Sequence, residues 1–309
     1  MQIYELIASD RSATHKSLEK FRLILEKKDV WRPIEDIKFV FLCGANINPK
    51  LPSKRRQDLI EFSIKNLSHT KFFLAESIFD VLKAEGHKAN ILDVENELSA
   101  FADHIIVVLE SESAFCELGA FAANPDLRKK LIVINDINHK DSDSFINIGP
   151  IKAINEQSNG KNILFYKMLN EGKISGDGIG HVYNDLYAIL HKGPDKRRTR
   201  IKECDPNKYF TKDTLRFVHD IVYFVSPITL GEISTIIKIL FSASKGKKIN
   251  NHLGLLCSIK QIIRTDDGYF KSLIDRPFFE YDGLFDFHEM MASFKNLYYR
   301  HDRARLKCL

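Results

Sequence analysis

Four short, uninterrupted apolar runs in the first half of the chain constrain the fold more than any other feature of the sequence. They are FVFLC at 39–43, FFLA at 72–75, HIIVVL at 104–109 and LIVI at 131–134. Runs of this length and composition are typical of strands buried on both faces of a parallel sheet. Stretches with helical periodicity separate or follow them, at 54–68, 77–85, 91–102 and 114–123. This alternation predicts an α/β fold, a Rossmann-like parallel sheet flanked by helices over about residues 37–170.

The segments on either side of this region have a different character. Residues 1–36 read as a separate N-terminal helical segment, and a basic link, KGPDKRRTRIK, follows the α/β region at 192–202. Beyond the link, helical patterns at 212–225, 229–243 and 250–263 precede a hairpin pattern with its turn at Asp267-Gly268. Three helices followed by a hairpin predict a winged-helix-like domain. We therefore expect three parts, residues 1–36, 37–191 and 192–309.

The charge of the chain is distributed unevenly between these parts. The chain carries +5 overall, yet residues 1–191 sum to −3 and residues 192–309 to +8. A basic final part predicts that a nucleic acid is bound there, although solubilising charge is the open alternative. Five basic residues flank the expected recognition helix and wing and are the candidates for nucleic-acid binding: Lys245, Lys247, Lys248, Lys260 and Arg264.

Several classes of protein are disfavoured by what the sequence lacks. No apolar stretch approaches the length of a membrane helix, and the N-terminus has no apolar signal region. The five cysteines are scattered, which suits a cytoplasmic protein. Neither zinc spacing nor a GxGxxG fingerprint is present. We expect no metal, no resident cofactor and no membrane contact.

Candidate binding residues lie where the predicted strands end, because parallel sheets bind ligands outside the carboxyl ends of their strands. The first strand ends in Gly44, Ala45 and Asn46, and the third helix begins near Glu95. The third strand runs into Ser111 and Ser113, and Ser113 is the expected N-cap of the helix at 114–123. We expect these six residues to bind the substrate.

Glu117 is the strongest candidate for chemistry. Its helix is otherwise nearly all small or apolar, and a carboxylate in such company is costly to bury without a partner or a task. A capping box, in which the glutamate bonds back to the start of its helix, is the structural alternative. Glu110 is the candidate second acid, which would protonate a leaving group or activate water.

Three segments resemble the effector proteins of type II retrons. They are FLCGA at 41–45, SAFCELGAFAANPDLRKKLIVIND at 113–136 and SFINIGPIKA at 144–153. Those proteins belong to bacterial antiphage systems, and they combine a nucleoside deoxyribosyltransferase-like domain with a winged-helix-like DNA-binding domain. The resemblance places Glu117 at the nucleophile position of the transferases. The chain departs from the transferase pattern at Glu112-Ser113-Ala114, where an Asp-Ser-Gly type run is usual.

The resemblance implies a toxic effector that cleaves the N-glycosidic bond of NAD or of a related nucleotide or nucleoside, so that NAD is a substrate and not a cofactor. It also implies two partners, the retron reverse transcriptase and its hybrid nucleic acid, msDNA, which hold the effector inactive in a higher-order assembly until phage infection. The alternative is a non-catalytic regulator that senses a nucleotide and binds DNA.

Overall fold

The computed structural model describes residues 2–26, 31–33, 37–48, 51–84, 91–169, 177–191, 204–241, 249–281 and 285–308. Within these ranges, no helix is both long enough and apolar enough to cross a membrane. The basic link at 192–202 lies outside the described residues.

Helices and strands alternate over much of the chain. The α-helices are α1 (Ile3–Ala8), α2 (Ala13–Glu26), α3 (Lys54–Asn66), α4 (Ala75–Ala84), α5 (Ile91–Phe101), α6 (Glu112–Ala123), α7 (Pro125–Arg128), α8 (Lys152–Ser158), α9 (Tyr183–Leu190), α10 (Lys212–Val225), α11 (Leu230–Phe241), α12 (Ile249–Ser258) and α13 (Phe287–His301). The strands are β1 (Trp31–Pro33), β2 (Lys38–Cys43), β3 (Asn46–Asn48), β4 (Leu51–Pro52), β5 (Thr70–Phe73), β6 (His104–Val108), β7 (Leu131–Asp136), β8 (Ile163–Tyr166), β9 (Ile262–Arg264), β10 (Phe270–Ser272) and β11 (Phe279–Tyr281).

The central sheet has five parallel strands in the order β5-β2-β6-β7-β8. The predicted α/β, Rossmann-like fold is therefore confirmed. The four apolar runs became β2, β5, β6 and β7, and β8 adds an edge strand that the sequence pattern did not reveal. Because all five strands point the same way, their carboxyl ends lie along one edge of the sheet.

Both faces of this sheet are covered, which explains why its strands are apolar without alternation. Successive residues of β2 point to opposite faces. Val40 and Leu42 pack in a cluster with Leu59 of α3 and Leu186 of α9. On the other face, the Phe41 ring lies 6.3 Å from the ring of Phe121 in α6, centroid to centroid.

The chain divides into two compact units, and this corrects the expected boundaries. One unit comprises Asp36–Glu76 and Asn90–Lys196, and the other Met1–Glu35, Ser77–Ala89 and Arg197–Leu309. The N-terminal helices are not a separate part, since the Phe21 ring of α2 contacts Phe217 of α10, Phe285 and Phe287. The strand β1 pairs with β11 in the same unit. Amphipathic helices of this length need a partner surface, and here the partner is distant in sequence.

The second unit contains the element order of a winged helix. After α10, Ile228 forms a bridge with Phe270, and α11, α12 and the antiparallel pair β9–β10 follow. The helix α12 ends at Ser258 and not at 263 as expected, because Lys260 adopts a positive φ of 55°. Gly268, also at positive φ, lies in the hairpin turn between β9 and β10, as the Asp-Gly pattern predicted.

Candidate active site

The backbone that follows β2 forms the floor of the candidate site. The short hairpin β3–β4 brings Ser53 back to Ala45, whose carbonyl oxygen accepts a 2.9 Å hydrogen bond from the Ser53 N–H. Ser53 then caps α3, with its Oγ accepting from the Arg56 N–H. Gly44 has a φ of 156°, and a Cβ there would lie 2.8 Å from Oε1 of Glu110. The glycine thus lets the chain pass close to a buried carboxylate.

Arg56 is a buried cation that ties three segments of the site together. Its guanidinium donates to both carboxylate oxygens of Glu76, at 2.8 and 3.1 Å, and to Oδ1 of Asn46 at 2.8 Å. It also donates to the carbonyl oxygens of Leu42 and Ala45. Asn46 completes the arrangement by donating from Nδ2 to Glu76. The expected binding residue Asn46 therefore faces a charged pair and lies at the exposed rim.

Glu117 extends from α6 into this carboxylate-rich region. Burial raises its pKa from 4.5 to about 7, and the negative charge of Glu95 adds to the effect, while Arg56 acts in the opposite direction. Its Oε2 is buried and has no hydrogen-bond partner among the residues that the structure describes. A buried acceptor without a donor is unusual in a folded protein and points to a group that a ligand completes.

Three neighbouring side chains contribute to the electrostatics around Glu117. Burial and the charge of Glu76 raise the pKa of Glu95 above its usual value. Burial raises the pKa of the Cys43 thiol well above its usual value, and the charge of Glu117 raises it further. The nearby Cys43 side chain acts in the opposite direction on Glu117 and lowers its pKa. Burial would also raise the pKa of Glu76, but the hydrogen bonds and charge of Arg56 outweigh it and lower that pKa.

The arrangement around Glu110 does not suit its expected role as second acid. Its carboxylate is buried and accepts hydrogen bonds from Ser53 Oγ at 2.6 Å, from the Ala45 N–H at 3.0 Å and from Arg55 at 2.9 Å. Three donors, one of them cationic, therefore occupy this carboxylate and hold it in place. Glu110 is thus placed to hold the backbone at Ala45 and not to deliver a proton.

Arg55 anchors Glu110 through a buried network that sequence reasoning missed. Its guanidinium pairs with Asp177 as well as with Glu110, and it donates to the carbonyl oxygen of Leu169 at 2.9 Å. Tyr166 at the end of β8 donates its hydroxyl to Asp177 at 2.8 Å. One sequence signal was available: two adjacent arginines occupy the first turn of α3, where the helix dipole disfavours cations.

The start of α6 differs from the expected one by two residues. Ser111, and not Ser113, is the N-cap, and its Oγ accepts from the Ala114 N–H at 3.3 Å. Ser113 lies in the first turn, with its Oγ 3.0 Å from that of Ser111. Glu117 is therefore six positions beyond the N-cap, too far for a capping box. The alternative interpretation of Glu117, as the glutamate of a capping box, is therefore wrong.

The structure describes only two of the five candidate nucleic-acid-binding residues. Lys245, Lys247 and Lys248 lie outside the described residues. Lys260 is exposed just before β9, and Arg264 is half-buried at the end of β9. Both are on the wing side of the unit.

The helix in the recognition position, α12, is mostly buried. A Cβ at Gly254 would lie 2.9 Å from Cγ2 of Ile78, so α4 packs closely against α12 within this unit. His252 and Asn251 of α12 are also buried. The face that a recognition helix presents to a DNA groove is thus covered to a large extent by protein.

Fold and site together define a class: an α/β protein with a buried carboxylate of raised pKa at the carboxyl edge of a parallel sheet, linked to a unit with winged-helix element order. Carboxylates in such positions act as nucleophiles or as acid–base groups toward polar small molecules.

Comparison with known proteins gives the particular family. The family model described as STM3845 retron effector protein matches residues 52–264. An Escherichia coli protein named "Retron Ec73 putative ribosyltransferase/DNA-binding protein" is 42% identical over 296 residues, which cover 93% of each chain. The E. coli protein of retron Ec86 with the same designation is 28% identical over 256 residues, covering 79% of this chain and 80% of the other. The chain belongs to the retron effector family.

Proposed function

We propose that this retron effector is a toxin of an antiphage defence system and cleaves the N-glycosidic bond of NAD or of a related nucleotide or nucleoside. The observation that carries the proposal is the environment of Glu117, whose buried Oε2 lacks a partner and whose pKa is raised to about 7. The ribosyltransferase designation of both E. coli relatives supports the same type of bond.

The proposed reaction uses Glu117 in its ionised form. A carboxylate oxygen attacks the anomeric carbon of the ribose, or stabilises the positive charge that develops there, while the C–N bond breaks. The bonding electron pair leaves with the base, and water then hydrolyses the ribosyl intermediate. Substrate binding, by bringing a cationic centre to Glu117, favours loss of its proton. Arg56 keeps Glu76 ionised nearby and limits the rise of the Glu117 pKa.

The hydrogen bonds that the Glu110 carboxylate already accepts bear on the choice of substrate. An ordinary nucleoside base needs a proton as it leaves, and Glu110 is already engaged by Arg55, Ser53 and Ala45. The nicotinamide of NAD carries a positive charge on the nitrogen of the scissile bond, so the departing electron pair neutralises it and no proton is required. This favours NAD. For a base that does need a proton, Glu95 is the better donor, because its pKa is raised.

We further propose that the reverse transcriptase and its msDNA restrain this activity in a larger assembly. An unrestrained enzyme of this kind would deplete a metabolite of its own host cell. The DNA-binding designation of the relatives and the winged-helix element order support a nucleic-acid partner, with Lys260 and Arg264 of the wing as contact candidates.

A direct test is to incubate the purified full chain with NAD and, separately, with nucleosides, and to measure free nicotinamide or base. Glu117→Gln is expected to lower the rate by about 10²-fold or more, the scale for loss of a principal catalytic group. Glu112→Gln, an exposed position on the same helix, is the matched control and should retain activity. Adding reverse transcriptase with its msDNA should inhibit the wild type.

Two results would contradict the proposal. Equal activity of Glu117→Gln and Glu112→Gln would exclude Glu117 as the reacting group. Tight binding of a nucleotide with no release of base, with or without the partners, would favour the alternative function, a nucleotide-sensing DNA-binding regulator.

A further inference from the structure

A cavity lies at the edge of the sheet opposite to Glu117. It has a volume of about 680 Å³ and is bordered by the loops that precede β7 and β8 and by the helices α8 and α9. Because the strands are parallel, their amino ends meet here, far from the carboxyl ends where the proposed reaction takes place. Nothing in the proposed function uses this cavity.

Its charged lining is mostly basic. Arg128, Lys129 and Lys161 border it, against one carboxylate, Asp185. The Arg128 Nε donates to the carbonyl oxygen of Ala122 at 2.6 Å, which fixes the direction of the guanidinium.

The two lysines are less constrained than Arg128. Among the described residues, Lys129 pairs with the exposed Asp126 alone, at 3.2 Å, and such surface pairs are weak and readily exchanged. Lys161 is exposed and has no ion-pair partner within the part of the chain that the structure describes. Two cations are therefore available to a ligand, with a third held in place beside them.

A buried hydroxyl gives a second and independent indication. Ser158, at the end of α8, borders the cavity, and its Oγ is buried without a hydrogen-bond partner among the described residues. Polar atoms that are withdrawn from water are nearly always hydrogen-bonded in folded proteins, so an exception suggests a missing ligand or water.

The remaining wall is apolar and comes from Ile154, Leu164 and Ile189. A cavity that combines two or three cations, a hydroxyl donor and an apolar wall matches a ligand with a phosphate at one end and a sugar or base at the other. Its volume lies in the range of ligand pockets, about 300–1,000 Å³. Phosphate is the group that Arg and Lys together recognise best.

We propose that this basic cavity, defined by Arg128, Lys129, Ser158 and Lys161, binds the phosphate of a nucleotide or of a nucleic-acid strand. The site is distinct from the Glu117 site and belongs to the α/β unit. It gives the unit whose sequence is net acidic its own contact for a phosphate ligand.

The test uses the full chain and two probes, inorganic pyrophosphate followed by calorimetry and fluorescein-labelled dT10 followed by anisotropy. Lys161→Glu should weaken binding of at least one probe by about tenfold or more, since it replaces a cation by an anion at the phosphate. Lys152→Glu makes the same charge change on α8 at an exposed residue that does not border the cavity, and it should change affinity by less than about twofold. Ser158→Ala should also weaken binding while leaving the salt dependence unchanged.

The two probes separate the sources of the phosphate. Loss of pyrophosphate binding alone identifies a free nucleotide. Loss of dT10 binding, with a salt slope reduced by about 0.7 per lost contact, identifies a strand. Equal effects of Lys161→Glu and Lys152→Glu, or no binding of either probe to the wild type at 0.15 M salt, would overturn the proposal. Base release should be unchanged in Lys161→Glu, so a failure here is distinguishable from a failure of the proposed function.

Discussion

The raised pKa of Glu117 has a consequence for stability that is independent of any substrate. Because the pKa is about 7 in the folded protein and 4.5 ordinarily, the folded state binds the proton more tightly than the unfolded state. Ionised Glu117 therefore destabilises the fold, and the free energy of unfolding decreases as the pH rises from about 4.5 through 7. Glu117→Gln, which carries no charge at any pH, removes this penalty.

The size of the effect follows from the two pKa values. A pKa difference of one unit corresponds to about 1.36 kcal/mol. The full loss of unfolding free energy caused by ionised Glu117, reached above pH 7, is therefore about 3 kcal/mol. At pH 5 the folded carboxyl is still protonated and the penalty is under about 1 kcal/mol. Glu117→Gln should thus be more stable than wild type at pH 8, and this advantage should shrink by about 2–3 kcal/mol at pH 5.

Urea denaturation of both proteins at pH 5 and pH 8 measures this difference. Any offset caused by the new amide is the same at both pH values and cancels. Glu112→Gln, exposed on the same helix, is the control and should show no comparable gain at pH 8. If Glu117→Gln and wild type differ by the same amount at both pH values, the carboxyl is not held in a raised-pKa environment, and the electrostatic argument for its reactivity is refuted.

Three further predictions concern the groups around the site. Glu95→Gln removes the neighbouring charge that raises the pKa of Glu117, so the rise of kcat/KM with pH should move to lower pH; an unmoved profile would show that Glu95 does not act on Glu117. Arg55→Met leaves Glu110 and a second buried carboxylate without their cation and should lower the free energy of unfolding by about 3–5 kcal/mol, measured by urea denaturation. A loss below about 1 kcal/mol would mean that the network is not structural. Gly44→Ala places a Cβ 2.8 Å from Oε1 of Glu110 and should therefore reduce base release. An unchanged kcat/KM would show that the loop yields.

Chain segments differ in how far their structure could be predicted. The strands β2, β6 and β7 were predicted within one or two residues, because a strand buried on both faces must be apolar throughout. The N-terminal helices were predicted as helices, yet their partner was not. An amphipathic pattern predicts that one face of a helix is buried, but it does not identify the surface against which that face packs. The edge strand β8 and the helix α13 were not predicted at all.

In the candidate site, Glu117 could be singled out from the sequence, whereas the contacts of Glu110 could not be predicted. Glu117 stood out because a lone carboxylate among small apolar residues is costly to bury, a local property of the sequence. Glu110 was the candidate second acid, and its actual contacts depend on Arg55, which lies 55 positions away. Local composition shows neither the hydrogen bonds that Glu110 accepts nor the ion pair between Arg56 and Glu76.

By itself, the sequence determined the α/β class, the parallel sheet, the winged-helix order of the later elements and the choice of Glu117 as the candidate reactive group. Each of these follows from residue type and periodicity over short stretches, where burial and hydrogen bonding act locally. Only the tertiary structure decided which charges are paired, which carboxyl groups have a raised pKa and where the N-terminal helices pack. Those properties arise from atoms brought within a few ångströms by folding, and the energies of charges depend on such distances and on exclusion of water.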